Sequence, residues 1–259
     1  MESIQLSLGR VTRLTLIREK IHNAFNAEMI QEIHSAFEQI SSDTNARVVI
    51  LQSNGRSFSA GANLNWMKKM IDYSEQENIA DSECLYDMLQ AIRNCPIPTI
   101  SRVQGSALGG GCGLIAATDM AFGVQNAKFG FTEVKLGLVP AVISPFVRDK
   151  IGLNNCRRFF LTGERFDAQT ALDIGLLNGV VQSESELDQI IDSSCEEIVN
   201  SSPDAIKRCK QLIDGIVDQS VEQSRDFVCQ HIAQARVSPQ GQDGLKGFLN
   251  KSPMDWSKC

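Results

Sequence analysis

The sequence predicts an α/β fold that is built from ββα units and followed by a helical C-terminal region. Three observations lead to this prediction. Short apolar segments that suit strands alternate with longer segments that have helical spacing. Glycine-bearing turns mark the places where strands give way to helices. In the last third of the 259 residues, helical spacing dominates and only one short segment suits a strand.

The first elements predict a hairpin, a helix and a buried strand. The alternation from Ile4 to Ile17 around Leu8-Gly9-Arg10 indicates two short strands. From Asn26, which can cap a helix, apolar residues recur at helical spacing. The apolar run from Arg47 to Leu51 suits a strand that is buried on both faces.

Two further passages from strand to helix follow. The segment Phe58 to Leu64 predicts a loop that opens a mostly helical stretch to about Arg93. Thr99 to Val103 predicts a strand, after which the glycines at 109–111 stand at a helix start. Met120 to Val124 predicts another buried strand.

A turn-rich stretch begins beyond Lys128 and leads into the helical part of the chain. Gly179 to Gln182 predicts a last strand. Helices are predicted on either side of it, at residues 144–150, 154–161, 168–174, 184–200, 203–213 and 221–235.

Charge and composition disfavour several classes of protein. The net charge is -6, and no Lys/Arg run is interleaved with aromatics, so nucleic-acid binding is disfavoured. No apolar run approaches the roughly 20 residues that span a bilayer. The opening MESIQLSLGR lacks the order of a signal peptide, so we expect a cytoplasmic protein that does not bind membranes.

The cysteines and histidines show no metal-binding pattern. The eight cysteines form no C-x-x-C pair, and His22, His34 and His231 are far apart in sequence. We therefore expect no metal. Cys112 lies among glycines and has no nearby His, which favours a buried thiol over a nucleophile.

Two segments place small residues where a strand gives way to a helix: Ala60-Gly61-Ala62 and Gly109-Gly110-Gly111. Each can leave a backbone N–H unpaired at a helix N-terminus. Two such donors aimed at one oxygen would form an oxyanion hole. Taken alone, the triple glycine is more typical of tight packing or a phosphate-binding loop. Neither nucleotide-binding glycine fingerprint fits the residues from Gly105 to Leu114.

Four ordered motifs together resemble the crotonase, or enoyl-CoA hydratase/isomerase, family. They are Arg18-Glu-Lys-Ile-His-Asn-Ala-Phe-Asn26, Phe58-Ser-Ala-Gly-Ala-Asn-Leu64, Gly105-Ser-Ala-Leu-Gly-Gly-Gly-Cys112 and Phe129-Gly-Phe-Thr-Glu133. The resemblance covers nearly the whole chain. It implies a crotonase-like spiral of ββα units in residues 1–195, with residues 196–259 as a C-terminal helical trimerisation region. It also implies a homotrimer or a hexamer made of two trimers.

The resemblance assigns roles by position. Ala62 and Gly110 would supply the oxyanion N–H groups, and Glu133 would be the acid/base carboxylate, its pKa raised by apolar neighbours such as Phe131, Val134 and Leu136. CoA would enter as part of the thioester substrate, with no permanently bound cofactor. The implied substrate-binding residues are Ala60, Asn63, Leu64, Trp66, Gly113, Phe131 and Pro140, and the implied CoA-binding residues are Lys20, His22 and Ala24, with Phe248 and Lys251 from a neighbouring subunit.

The chain departs from the usual hydratase pattern at Gly113, where the resemblance leads us to expect a second Glu. A single Glu suffices for the proton shuttle of an enoyl-CoA isomerase, which is the first alternative. The segments Phe58 to Met67 and Gly137 to Pro145 resemble bacterial methylglutaconyl-CoA hydratases of leucine breakdown. We therefore expect a hydratase, with 3-methylglutaconyl-CoA as the candidate substrate. A silent CoA-binding scaffold is the alternative from a different functional class.

Two details near the second motif stay open. Asn63 stands where the family usually has Asp, which changes local charge without removing a backbone donor. Trp66, Met67 and Met70 follow at helical spacing. They would either line the acyl pocket or pack the helix.

Overall fold

The computed structural model describes residues 1–259 and contains ten strands in two sheets. The strands are β1 (Ile4–Ser7), β2 (Val11–Leu16), β3 (Val48–Ser53), β4 (Ser57–Ser59), β5 (Thr99–Val103), β6 (Ser106–Leu108), β7 (Met120–Val124), β8 (Lys128–Gly130), β9 (Arg165–Asp167) and β10 (Gly179–Val181). The larger sheet has the order β1-β2-β3-β5-β7-β10, and the smaller has the order β4-β6-β8-β9.

Ten α-helices accompany the sheets. They are α1 (Ala27–Ser42), α2 (Leu64–Met70), α3 (Glu75–Arg93), α4 (Gly110–Ala117), α5 (Ser144–Thr162), α6 (Ala168–Asp173), α7 (Glu184–Val199), α8 (Pro203–Ile216), α9 (Val221–Val237) and α10 (Pro239–Leu249). None of them combines the length and the apolar character that a bilayer crossing requires.

The chain winds as a spiral in which each turn adds one strand to each sheet. β3, β5 and β7 are parallel neighbours in the larger sheet. The strands that follow them, β4, β6 and β8, are parallel neighbours in the smaller sheet. Helices follow each pair of strands, so the structure confirms the predicted spiral of ββα units.

The larger sheet is buried at its centre, and its strand β3 is apolar on both faces. Residues Val48 to Leu51 of β3 are fully buried between β2 and β5, as the continuous apolar run predicts. The N-terminal hairpin is confirmed, with Ile4 opposite Leu16 in antiparallel register.

Helix ends follow the capping residues. The Oδ1 atom of Asn26 accepts a hydrogen bond from the backbone N–H of Met29, so α1 begins where the sequence predicts. The stretch from 64 to 93 is two helices instead of one. Ser74 and Glu77 form a capping box that starts α3, so the chain breaks between α2 and α3.

The helices predicted at 144–150 and 154–161 are confirmed as the two segments of α5, which are separated by Gly152 with a non-helical φ of 72°. The structure differs from the sequence prediction in two places. The smaller sheet was not predicted, because its strands of three residues are too short to show alternation. Helix α10 was also missed, since Pro239 and three glycines weaken its helical pattern.

The C-terminal helices contact the first part of the chain through Arg47. This buried guanidinium donates to the carbonyl oxygens of Trp256 at 3.0 Å and Cys259 at 3.1 Å, and to those of Val199 and Ser201. Helices α8 and α9 bury none of their own residues. The predicted boundary after residue 195 falls inside α7, and the division into 1–195 and 196–259 stays a prediction.

Candidate active site

Three loops meet at one edge of the smaller sheet. They follow β4, β6 and β8, which are parallel, so their carboxyl ends point the same way. Ala62, Gly110 and Glu133 each lie two or three residues beyond the end of one of these strands. The spiral therefore brings together the three residues that the sequence predicted as the catalytic set.

The backbone N–H groups of Ala62 and Gly110 are free to bind a ligand. Phe25 pairs with both neighbours of Ala62, donating to the Gly61 carbonyl at 2.7 Å and accepting from the Asn63 N–H at 2.8 Å. This pairing leaves the Ala62 N–H without a partner in the chain. Gly110 is the first residue of α4, where an N–H has no acceptor within the helix.

Gly61 allows the two donor loops to approach closely. Its φ of 82° lies in the left-handed region, and a methyl group added there would lie 2.8 Å from the Leu108 carbonyl oxygen. The same methyl would lie 3.5 Å from the Gly110 nitrogen. Gly61 therefore keeps the loop of Ala62 in contact with the loop of Gly110.

Glu133 begins a short 3₁₀ turn, and its carboxylate lies beside the glycine loop. A methyl group on Gly109 would lie only 2.9 Å from its Oε1 atom. The Oε2 atom is buried and accepts no hydrogen bond from the chain. Burial raises the pKa of the Glu133 carboxyl above its ordinary range, while an interaction with its own backbone N–H acts in the opposite direction. This carboxylate is placed to exchange protons with a ligand.

The two amides and the carboxylate line one pocket of about 400 Å³. Most of its wall is apolar and includes Trp66, Met67 and Met70 of α2. Trp66 also packs in the hydrophobic core and Met70 packs against it, so the two roles expected for these residues coexist. Ala60, Leu64 and Pro140 also line the pocket, as predicted. Another cleft, of about 550 Å³, is lined by polar residues that include none of the predicted site.

Gly113 is not part of the pocket wall. A methyl group on it would lie 2.4 Å from Cγ2 of Ile143, so the Ile143 side chain fills the space that a longer residue would need. Ile143 itself lines the pocket. The position expected to hold a second Glu is thus covered by an apolar side chain, which the sequence prediction missed.

Phe131 and Asn63 also lie outside the pocket wall. Phe131 is fully buried and packs its ring edge-on against Phe160, so its predicted contact with substrate is not supported by its position. Asn63 caps α2 by accepting from the N–H groups of Asn65 and Trp66. Of the apolar neighbours predicted for Glu133, only Leu136 lines the pocket.

The predicted CoA-binding segment runs along the loop of Ala60. The Ala60 N–H donates to the His22 carbonyl at 2.9 Å. The His22 ring is hydrogen-bonded to Ser57 and Arg56. Ala24 is buried, and Lys20 is exposed. These residues flank the pocket without lining it, and their contact with CoA stays a prediction.

Phe248 and Lys251 lie near the C-terminus, and both are exposed in the single chain. Neither lines the pocket of its own chain. Their predicted contact with CoA in a neighbouring subunit is therefore neither supported nor contradicted by their position.

Asp81 of α3 is a pocket residue that the sequence prediction missed. Its Oδ1 atom accepts a hydrogen bond of 3.1 Å from Trp66 Nε1. A signal was present, because Asp81 precedes Leu85 and Leu89 by one and two turns and so shares their face of the helix. A charged residue on such an apolar stripe indicates a polar contact inside the protein.

Cys112 is excluded as a nucleophile. Its thiol is buried and donates to the Ala107 carbonyl at 3.1 Å. Burial raises the pKa of this thiol to about 12, so the reactive thiolate is not populated near neutral pH. The structure confirms the prediction of a buried structural thiol.

The arrangement suits chemistry at the carbon atoms next to a thioester. Two convergent N–H groups can stabilise negative charge on a carbonyl oxygen as it becomes an enolate oxygen. A carboxylate in the same apolar pocket can give and take the protons. No three His, Cys, Asp or Glu side chains come together as potential metal ligands.

Comparisons with known proteins agree with this geometry. Residues 8–258 match the family model described as enoyl-CoA hydratase/isomerase. The chain is 28% identical over 252 residues to a short-chain-enoyl-CoA hydratase from Clostridium acetobutylicum, covering 96% of this chain and 95% of the relative. It is also 28% identical over 249 residues to the 2,3-dehydroadipyl-CoA hydratase of Escherichia coli, covering 95% of each.

Solved structures show the same fold. An enoyl-CoA hydratase from Shewanella pealeana superposes with a TM-score of 0.93 at 37% identity, covering 97% of this chain and 95% of the other. An enoyl-CoA hydratase/isomerase from Marinobacter aquaeolei superposes with a TM-score of 0.92 at 28% identity, covering 99% and 100%. With the match across almost its whole length, the chain belongs to the enoyl-CoA hydratase/isomerase family, also called the crotonase family.

Proposed function

We propose that this protein adds water to α,β-unsaturated acyl-CoA thioesters, with CoA entering as part of the substrate. The observation that carries the proposal is the Glu133 carboxylate. One of its oxygens is buried without a partner, in the pocket shared with the N–H groups of Ala62 and Gly110. A buried carboxylate oxygen without a donor is costly, and a bound water would satisfy it.

The proposed reaction proceeds through an enolate. Glu133 takes a proton from water as the water oxygen bonds to the β-carbon, and the electron pair of the double bond moves toward the thioester oxygen. The Ala62 and Gly110 N–H groups hold that oxygen. Glu133 then returns the proton to the α-carbon, so one water is added and the carboxylate is regenerated.

Isomerisation of an enoyl-CoA is the second candidate, and one observation favours it. Residue 113 is a glycine and is covered by Ile143. The pocket therefore has no second carboxylate at the position where the family resemblance implies a water held between two carboxylates. Glu133 alone could carry a proton between the α- and γ-carbons. Assays with crotonyl-CoA, 3-methylglutaconyl-CoA and a 3-enoyl-CoA would separate hydration from isomerisation. A protein that binds these esters and converts none of them would instead be a CoA-binding scaffold.

The lining of the pocket favours acyl groups that have no distal carboxylate. The sequence resemblance points to 3-methylglutaconyl-CoA, and the Escherichia coli relative is named for 2,3-dehydroadipyl-CoA. Both acyl groups carry a distal carboxylate. The pocket wall holds no Lys, Arg or His to pair with it, and its charged residues are Asp81 and Glu133. We therefore propose that enoyl-CoA esters with an uncharged acyl chain are better substrates than 3-methylglutaconyl-CoA of leucine breakdown.

Replacing Gly113 with Glu tests whether the Ile143 side chain blocks a carboxylate at position 113. The new side chain collides with Ile143, so we expect Gly113→Glu to lose about 1–3 kcal/mol of folding stability. Gly113→Glu combined with Ile143→Ala should recover much of that stability, because the new side chain at position 113 can then occupy the space that the Ile143 side chain leaves. The double variant should also raise the ratio of hydration to isomerisation, measured on the same enzyme batch.

Ile143→Ala alone is the control for the double variant, since it opens the space without adding a carboxylate. Thermal unfolding reports the stability of each protein. A single Gly113→Glu variant as stable as the native protein would show that Ile143 does not block this position.

We also propose that the chain assembles as a trimer, or as two trimers, through its C-terminal helices. Helices α8 and α9 bury no residues in the single chain, and Phe248 and Leu249 at the end of α10 are 79% and 76% exposed. Apolar exposure of this extent is typical of an interface. Phe248→Asp with Leu249→Asp should therefore reduce the molar mass measured by light scattering.

The control for the assembly test is Leu8→Asp, which replaces an exposed leucine of the N-terminal hairpin turn and adds one negative charge where the test variant adds two. It should leave the molar mass unchanged. A native protein that stays at the mass of one chain at micromolar concentration would contradict the assembly proposal.

A further inference from the structure

The wall that α3 contributes to the acyl pocket is apolar at Leu85 and polar at Asp81 and Ser82. Leu85 lines the pocket, and Leu89, one turn later, lies 3.8 Å from a methyl group built on Gly113. Asp81 is two turns before Leu89, about 12 Å along the helix axis at 1.5 Å per residue. Asp81 therefore lies toward the end of the pocket that is remote from Gly113, and an acyl tail that extends along α3 away from Gly113 would reach it.

The Asp81 carboxylate is held in place from one side only. Trp66, which is only 7% exposed, donates its indole N–H to Oδ1. No side chain or backbone N–H of the protein donates to Oδ2, and no Lys, Arg or His forms an ion pair with Asp81. A fixed carboxylate with a free oxygen is a hydrogen-bond acceptor directed at the pocket.

The surroundings make this acceptor selective. Met67, Met70 and Leu85 form the nearby apolar wall, and Ser82 is the neighbouring polar residue. Burial raises the pKa of Asp81, and the Trp66 hydrogen bond opposes this change. A partly desolvated carboxylate gains most from a ligand that offers an O–H or N–H donor and loses most beside another negative charge.

We propose that Asp81, positioned by Trp66, determines specificity at the far end of the acyl pocket: it favours acyl chains that end in a hydroxyl or other hydrogen-bond donor and disfavours those that end in a carboxylate. The proposal rests on the proposed function, because it assumes that the acyl group occupies this pocket. It extends that function by naming the chemical class of the preferred acyl tail.

Binding of saturated CoA esters tests the proposal without requiring turnover. Valeryl-CoA, 5-hydroxyvaleryl-CoA and glutaryl-CoA match in chain length and differ at the terminal group. For the native protein, calorimetry should show 5-hydroxyvaleryl-CoA binding about 3-fold or more tightly than valeryl-CoA, and glutaryl-CoA binding about 10-fold or more weakly than valeryl-CoA. Asp81→Asn should reduce the glutaryl penalty, taken as the ratio of the glutaryl-CoA Kd to the valeryl-CoA Kd, to about 3-fold or less.

Asp87→Asn is the matched control, because Asp87 is on the same helix, is exposed and lies outside this pocket. It should keep the native order of the three ligands. Equal binding of glutaryl-CoA and valeryl-CoA by the native protein would overturn the proposal. So would an equal change for all three ligands in Asp81→Asn. A failure of the proposed function would appear separately, as tight and selective binding of these esters without hydration of any enoyl-CoA.

Discussion

Replacing Glu133 with Gln is expected to lower kcat for enoyl-CoA hydration by about 10²–10⁴-fold while leaving the Kd for a saturated acyl-CoA within a few-fold of the native value. Gln has nearly the same shape, so the pocket and the N–H groups of Ala62 and Gly110 stay in place. It cannot accept a proton from water at neutral pH. Rates with crotonyl-CoA and calorimetry with butyryl-CoA measure the two effects.

The same variant should reveal the titration of Glu133 in folding stability. Burial raises the pKa of Glu133 in the folded protein above the unfolded value of about 4.3. The folded state then binds the proton more strongly, so this contribution to stability is present at low pH and is lost as the pH rises through the folded pKa. The stability of Glu133→Gln relative to the native protein should therefore increase from about pH 4 to pH 7. A relative stability that does not change with pH, together with undiminished turnover, would rule out the acid/base role.

Gly61→Ala is expected to lower kcat by about 10²–10³-fold, although it changes a residue with no functional group. The added methyl would meet the Leu108 carbonyl oxygen at 2.8 Å, and neither atom is on a flexible side chain. The loop of Ala62 must then move away from the loop of Gly110. The two N–H groups would no longer converge on one oxygen, and steady-state kinetics with crotonyl-CoA would measure the loss.

Gly152→Ala separates the steric effect of Gly61→Ala from the cost of the backbone conformation. Gly152 has a similar φ of 72°, has nothing within 4 Å of the added methyl, and lies in the kink of α5 outside the pocket. This control should lose stability because of the left-handed conformation and keep its kcat. If Gly61→Ala retains native kcat once folded, the spacing of the two loops does not set the rate.

The strands of the larger sheet could be predicted from sequence, because four of them (β2, β3, β5 and β7) are five or six residues long and β3 contains a continuous apolar run. The smaller sheet could not, because strands such as Ser57–Ser59 and Ser106–Leu108 carry no periodicity of their own. They form through pairing with segments that are distant in sequence. The positions of Ala62, Gly110 and Glu133 depend on these short strands, so the motifs predicted the residues while only the structure explains their convergence.

Two parts of the site depend on contacts that spacing does not encode. Ile143 fills the space beside Gly113, thirty positions earlier in the chain. Spacing indicates the face of α3 on which Asp81 lies, but it does not indicate the hydrogen bond that Asp81 accepts from Trp66 of another helix. Phe131 shows the opposite case, since its motif suggested a substrate contact and its side chain packs in an aromatic cluster instead.

The contacts of Arg47 link the solvent-accessible last turn of the chain to the interior of the protein. Its guanidinium is buried, and the oxygens that solvate it belong partly to Trp256 and Cys259. Removal of those few residues would take away two of the four acceptors of this buried positive charge, next to the beginning of β3. The C-terminal residues thus supply hydrogen-bond acceptors at the start of a strand that lies some two hundred positions earlier in the sequence.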